Sequence, residues 1–172
     1  MVQETSLKKH ILPLPDEISS ATIENYSNHH REITLILNDF LLKYLNCLYA
    51  EFNGDIVQAI VLGEVAHHNV SRLLNKGRIH STVAPDNSGF DAIKHLLVPC
   101  NPFSISEATG IPRETVRRKF SELIDEGLIE QISPRGYIIT ALVSERYSFG
   151  FNVRLFEGIR TLCNQIQAIT KE

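Results

Sequence analysis

A chain of 172 residues with 43% apolar composition can bury a substantial core, and a charged fraction of 22% with both signs interspersed excludes extensive disorder. The formal charge of −3 excludes a uniformly basic nucleic-acid coat, so any contact with a polyanion has to come from a local patch. Cys47, Cys100 and Cys163 are odd in number, widely spaced and outside any C-x-x-C arrangement, which fits reduced cytosolic thiols rather than a disulfide framework.

The first residues carry Pro13, Pro15 and the pair Ser19-Ser20 without a sustained period, and residues 1–25 are expected to form an N-terminal arm. No basic start followed by an apolar run opens the chain, so the expected setting is cytoplasmic. From His30 onward Ile33, Ile36, Leu37, Phe40, Leu41, Tyr44, Leu45, Leu48 and Phe52 recur at the three-and-four spacing of a long helix. Asn38, Asp39, Lys43 and Asn46 interrupt that stretch and argue against a bilayer span.

Asn53-Gly54 stops the helix, and Asp55 is placed to cap a second one. In that helix Ile56, Val57, Ile60, Val61, Leu62, Val65, Val70, Leu73 and Leu74 cover most of the circumference. Residues 26–89 are therefore expected to be a helical dimerisation or sensor region, closed by an aperiodic surface loop over Lys76–Gly89.

A short helix with Phe90, Ile93, Leu96 and Leu97 inward, ending by Pro99, opens the next unit. Ser104 then reads as the cap of a helix over Ile105–Thr109, with Glu107 completing a capping box. Gly110 supplies a turn, Pro112 fits the first turn of a following helix, and Gly127 ends that helix after Glu126. This is helix, tight turn, helix.

At about 100° per residue Val116, Phe120, Leu123 and Ile124 fall on one side of the second helix, and Glu114, Arg118 and Ser121 on the other. Thr115, Arg117 and Lys119 flank the exposed side, while Arg113 leans inward but lies where a long side chain can project past the helix end. Four cations and one anion between Arg113 and Lys119 leave a net of +3. Glu122, Asp125 and Glu126 make the other half acidic, so the patch points N-terminus first toward phosphates.

Leu128–Ile132 reads as a strand, Ser133–Gly136 as a turn with Arg135 at its tip, and Tyr137–Thr140 as the returning strand. After it, Leu155, Phe156, Ile159, Leu162, Cys163 and Ile166 stripe a long helix over Asn152–Ile169. The expected fold is mainly α with a small β-wing: a winged helix-turn-helix over residues 90–141, flanked by long dimerisation helices, the last within 142–172.

Such a unit predicts sequence-specific reading of DNA, with the early residues of the second helix at base edges. Arg113 and Arg118 can each offer a fork to guanine O6 and N7, and Glu114 can accept from cytosine N4. Arg135 can reach backbone phosphate or the minor groove, and Ser104, Thr115, Arg117, Lys119 and Ser121 complete the candidate contact set.

The string from Gly110 to Lys119, G-I-P-R-E-T-V-R-R-K, resembles the recognition helix of the cyclic-AMP receptor protein family. That resemblance, confined to about a quarter of the chain, implies that Arg113, Glu114 and Arg118 read bases and that Thr115 contacts phosphate. The helical first half has nothing like that family's β-roll, so nucleotide binding is not carried over. The layout, a central winged unit between helical flanks, resembles MarR-type dimeric regulators.

Glu64, His67 and His68 share a helix surface, but their order matches neither His-Glu-x-x-His nor a paired Glu-x-x-His, so no metal is expected. With no Gly-rich phosphate loop and no G-x-S-x-G elbow, neither enzymatic activity nor a cofactor is expected. The expected partners are double-stranded DNA at a near-palindromic site and a second copy of the chain. A ligand-responsive form would place a small-molecule effector between the long helices, near Phe40, Tyr44 and Phe156. The alternative is an adaptor that uses the winged unit to dock a protein.

Overall fold

The computed structural model describes residues 18–75 and 88–170. Residues 1–17 of the expected arm, and most of the expected loop over Lys76–Gly89, lie outside the described residues. In chain order the elements are α1 (Ser20–Glu51), α2 (Ile56–Asn75), α3 (Ser88–Lys94), α4 (Pro102–Thr109), α5 (Arg113–Asp125), β1 (Ile129–Ser133), β2 (Gly136–Ile139), α6 (Ala141–Arg146), a π-type turn (Tyr147–Phe151) and α7 (Asn152–Thr170). The described residues are mainly helical with one small antiparallel sheet, and no described helix is long and apolar enough to cross a membrane. They divide into a helical unit of residues 18–54 with 150–170 and a mixed unit of residues 55–149.

In the helical unit, α1 begins inside the stretch expected to be an arm. The reason is local: Ser19 Oγ accepts the Thr22 N–H at 3.2 Å and caps the helix there. The helix bends at His29 (φ −124°, ψ 18°), where Ser27 Oγ turns back onto the Ile23 carbonyl and His30 Nδ1 lies 3.1 Å from the Ser27 carbonyl. Asn53 (φ 49°) and Gly54 (φ 91°) end it in the left-handed region, with the Gly54 N–H returning to the Tyr49 carbonyl. Helix α7 packs antiparallel along α1: Arg154 pairs with Glu51 at one end, and Gly158 lets the Phe40 ring approach the backbone further along.

In the mixed unit, Asp55 caps α2 as expected, its Oδ1 accepting the Gln58 N–H at 2.9 Å. Val61, Leu62 and Val65 of α2, Ile105 of α4, Val116, Phe120 and Leu123 of α5, and Ile129, Ile138 and Ile139 of the hairpin are all buried. The helical region expected over 26–89 is thus divided at Asp55, because α2 spends its apolar face on α4, α5 and β2. Likewise, of the stretch expected as one C-terminal dimerisation helix over 142–172, α6 belongs to the mixed unit.

Asn69, fully buried on α2, ties that helix to the hairpin. Its Nδ2 donates to the Val98 and Tyr137 carbonyls, and its Oδ1 accepts the Ile139 N–H at 2.8 Å. Without it the Val98 carbonyl and the Ile139 N–H would each lose a buried hydrogen-bond partner, whereas the Tyr137 carbonyl also accepts the Cys100 N–H.

The hairpin pairs Ile129 with Ile139, Glu130 with Ile138 and Gln131 with Tyr137, and then shifts by one, so that Ile132 is bulged and Ser133 meets Gly136. The connecting turn is therefore Pro134-Arg135 alone, two residues shorter than the expected Ser133–Gly136. Cys100 exchanges both backbone hydrogen bonds with Tyr137, at 3.0 and 2.9 Å, which fastens the entry to α4 against the hairpin. Burial pushes the Cys100 thiol up to about 12, so it packs as a neutral group.

Candidate functional site

Two short-range devices set the angle between α4 and α5. The first is the capping box at the start of α4, which the structure centres three residues earlier than expected. Asn101 is the cap, Pro102 occupies the first helical position, and Ser104 is the reciprocal third residue. Ser104 N–H donates to Asn101 Oδ1 at 3.0 Å, while Ser104 Oγ accepts the Asn101 N–H at 3.2 Å and donates to the Asn101 carbonyl at 2.8 Å. The Ser104 hydroxyl, expected to be a candidate contact, is thereby committed to the cap.

The second device is the turn. Gly110 takes φ 71°, a left-handed geometry that costs a residue with a Cβ roughly 1 kcal/mol. Ser106 Oγ donates to the Ile111 carbonyl at 2.7 Å, and Thr109 Oγ1 accepts the Ile111 N–H at 3.2 Å, so the turn is held from both sides. Pro112 then precedes α5 as its N-cap without a side-chain cap bond, and Gly127 (φ 71°) ends the following turn.

On α5 Val116, Phe120 and Leu123 are buried, and the Phe120 ring meets Tyr137 edge-on with centroids 5.1 Å apart. Ile124, expected inside, is 39% exposed. Lys119 departs furthest from expectation. Its side chain is only 8% exposed, and its Nζ donates to Asp55 Oδ2 and Glu122 Oε2. Burial pushes the Lys119 amine down, but the two carboxylates outweigh it and hold the amine above its usual range. Burial likewise pushes the Asp55 carboxyl up, and Lys119 together with the Gln58 N–H holds it below the usual range instead. Lys119 thus fastens α5 to the start of α2 and is withdrawn from the contact set.

The exposed positive face is Arg113, Arg117 and Arg118 against Glu114, a net of +2. Arg117 forks onto Glu114, with Nε donating to Oε2 at 3.0 Å and Nη2 to Oε1 at 2.6 Å, and this bond holds the Glu114 carboxyl below its usual range. Arg118 reaches back toward Glu122, Nε to Oε1 3.7 Å, with its side chain 66% exposed. Thr115 is half-buried; Ser121 is exposed, its Oγ lying 3.5 Å from the Arg117 carbonyl.

Arg113 escapes the inward lean of its wheel position by lying over the Phe103 ring, guanidinium carbon 4.5 Å from the centroid. Arg135 stands exposed at the hairpin turn. A groove of about 710 Å3 runs between the starts of α4 and α5 and the hairpin tip, bringing Arg113, Glu114, Arg117 and Arg135 together with Phe103 and Tyr137. Arg118 and Ser121 lie outside its lining.

Sequence reasoning missed Asn101, Phe103, Asn69 and the second role of Asp55. Asn-Pro ahead of Ser104 was the available signal for the first, since a cap followed by proline is a helix-start pattern. Among the described residues no group of three or more His, Cys, Asp or Glu could hold a metal ion.

The helical unit carries a separate cavity of about 330 Å3 between α1 and α7. Phe40 and Tyr44, stacked at 6.3 Å, line it as expected, but the third aromatic is Phe151, 6.1 Å from Tyr44. Phe156, expected there, is 68% exposed.

Compared with known proteins, the chain matches no family model, no curated protein and no solved structure.

Proposed function

We propose that residues 90–141 form a winged helix-turn-helix that reads double-stranded DNA, with α5 as the recognition helix and the β1–β2 hairpin as the wing. The observation that carries this reading is the groove in which Arg113 and Arg117 of α5 face Arg135 of the turn, with Glu114 as the one carboxylate in its lining and Glu122 and Asp125 in the second half of α5. Three guanidinium groups around one groove suit a phosphate backbone, and an exposed helix start suits the major groove. The Arg117–Glu114 pair does not oppose this. Both side chains are exposed, so solvent screens the pair and Arg117 can exchange it for a DNA contact, a bidentate base contact being worth roughly 1–3 kcal/mol.

The same reading includes a homodimer on a near-palindromic site. Leu35, Leu42, Leu45 and Tyr49 of α1 and Val153, Phe156 and Ile159 of α7 lie outside the α1–α7 seam. These seven side chains are 44–70% exposed, apolar surface that a second copy of the chain would cover. The aromatic cavity between α1 and α7 favours a further, ligand-responsive form, in which a small apolar effector stabilises the helical unit. A thermal-shift screen of metabolite pools that finds no stabilising fraction would remove that form.

Selection from random duplex DNA at low and moderate salt tests the main reading. The expected outcome is an enriched motif of two related half-sites about one helical turn apart, with affinity falling as salt rises. Selection that enriches nothing would instead favour an adaptor docking a protein through the same unit.

A further inference from the structure

Phe103 has no part in the core and no direct part in the proposed base contacts. It is a large aromatic at the second position of α4, 50% exposed, and its ring lies under the Arg113 guanidinium. The ring stands on a fixed base: Cys100 is paired to Tyr137 on both backbone groups, and Pro102 and the Asn101–Ser104 box hold the first turn of α4. Arg113, by contrast, is the first residue of α5, where a long side chain has many rotamers open to it.

The neighbouring Arg117 and Arg118 face carboxylates, which occupy some of the in-plane N–H groups that a base edge would need. A ring under the guanidinium holds it through its face instead, and leaves the donor edge open. We infer that Phe103 is a positioning residue for base reading, orienting Arg113 so that its fork meets guanine with little ordering left to do on binding. This rests on the DNA-reading function proposed above.

The test uses the full chain with Phe103→Tyr, Phe103→Leu, Arg113→Ala and the double variant Phe103→Leu/Arg113→Ala. Each is run through random-DNA selection and titrated on the selected site and on single-base changes of it. Arg113→Ala identifies the guanine that Arg113 reads. At that position Phe103→Leu should lower the preference roughly fivefold, Phe103→Tyr should keep it, and the double variant should be no worse than Arg113→Ala alone. Three results would each overturn the inference: full preference in Phe103→Leu, a loss spread evenly over all positions and unrelated DNA, or losses that add in the double variant. A wild-type protein that enriches no motif removes the proposed function and this inference together, whereas a wild-type motif that survives Phe103→Leu removes the inference alone.

Discussion

Residues 55–149 and the α1–α7 pair solve the problem of apolar surface in opposite ways. In the mixed unit every major element commits side chains to a common interior, with Val61, Ile105, Val116, Leu123 and Leu128 at 0% exposure. In α1 the buried residue is Ile33, and α7 has none, although both helices are rich in Leu, Ile and Phe. Two helices can bury only one seam of each against the other, so a helix with a wide apolar face needs further neighbours. The contrast separates apolar surface that the chain covers with its own elements from apolar surface that the proposed dimer would cover.

That contrast is sharpest for substitutions that act independently of concentration against those that do not. Asn69→Ala should have the largest effect. It removes the side-chain partners of the Val98 carbonyl and the Ile139 N–H inside the mixed unit, and the second of two donors to the Tyr137 carbonyl, costing roughly 2–4 kcal/mol. Denaturant midpoints that are equally low at dilute and concentrated protein are the expected result. Leu42→Glu places a charge in the exposed stripe of the helical unit. Sedimentation equilibrium should show self-association weakened at least about tenfold; unchanged association would show that the stripe is not an interface.

Lys119→Met addresses the join between α2 and α5 and should cost about 1 kcal/mol, since both carboxylates it faces are partly solvated. Asp55 lies below its ordinary 3.8, so its stabilisation is present above that pH and lost as acid takes the solution through the lower folded value. Lys119 lies above its ordinary 10.5, so its share is present below that pH and lost as alkali passes the higher folded value. The variant should flatten both limbs of a stability profile while leaving the salt dependence of DNA binding unchanged; a shallower salt dependence would return Lys119 to the contact set. Smallest is Arg135→Ala, expected to weaken binding to all duplexes about threefold and to lower the salt slope by about one.

What the sequence made legible was set by local chemistry. Gly54, Gly110 and Gly127 each end or turn a helix where expected, all at positive φ, and Asp55 caps α2. The apolar spacing on α5 located Val116, Phe120 and Leu123. What it hid depends on partners far along the chain. Lys119 sits only about 60° from Val116 on the helical wheel, close enough to be drawn inside once Asp55, 64 residues upstream, offers a carboxylate. Asn69 looks out of place on an apolar helix until the hairpin, about 70 residues on, supplies an acceptor at Tyr137 and a donor at Ile139. Phe151 replaced Phe156 in the cavity because the phase of α7 against α1 is fixed by Gly158 meeting Phe40, a contact that periodicity within either helix does not define.

The central claim is that α5 reads bases through its exposed arginines. Parallel random-DNA selections with the wild-type chain and Arg118→Ala test it most directly, because Arg118 is exposed and has no part in the core. The account predicts a two-half-site motif for the wild type and, for Arg118→Ala, loss of preference at one base pair in each half-site worth about 1–3 kcal/mol. An identical motif and affinity for both proteins, or no motif for either, would contradict it.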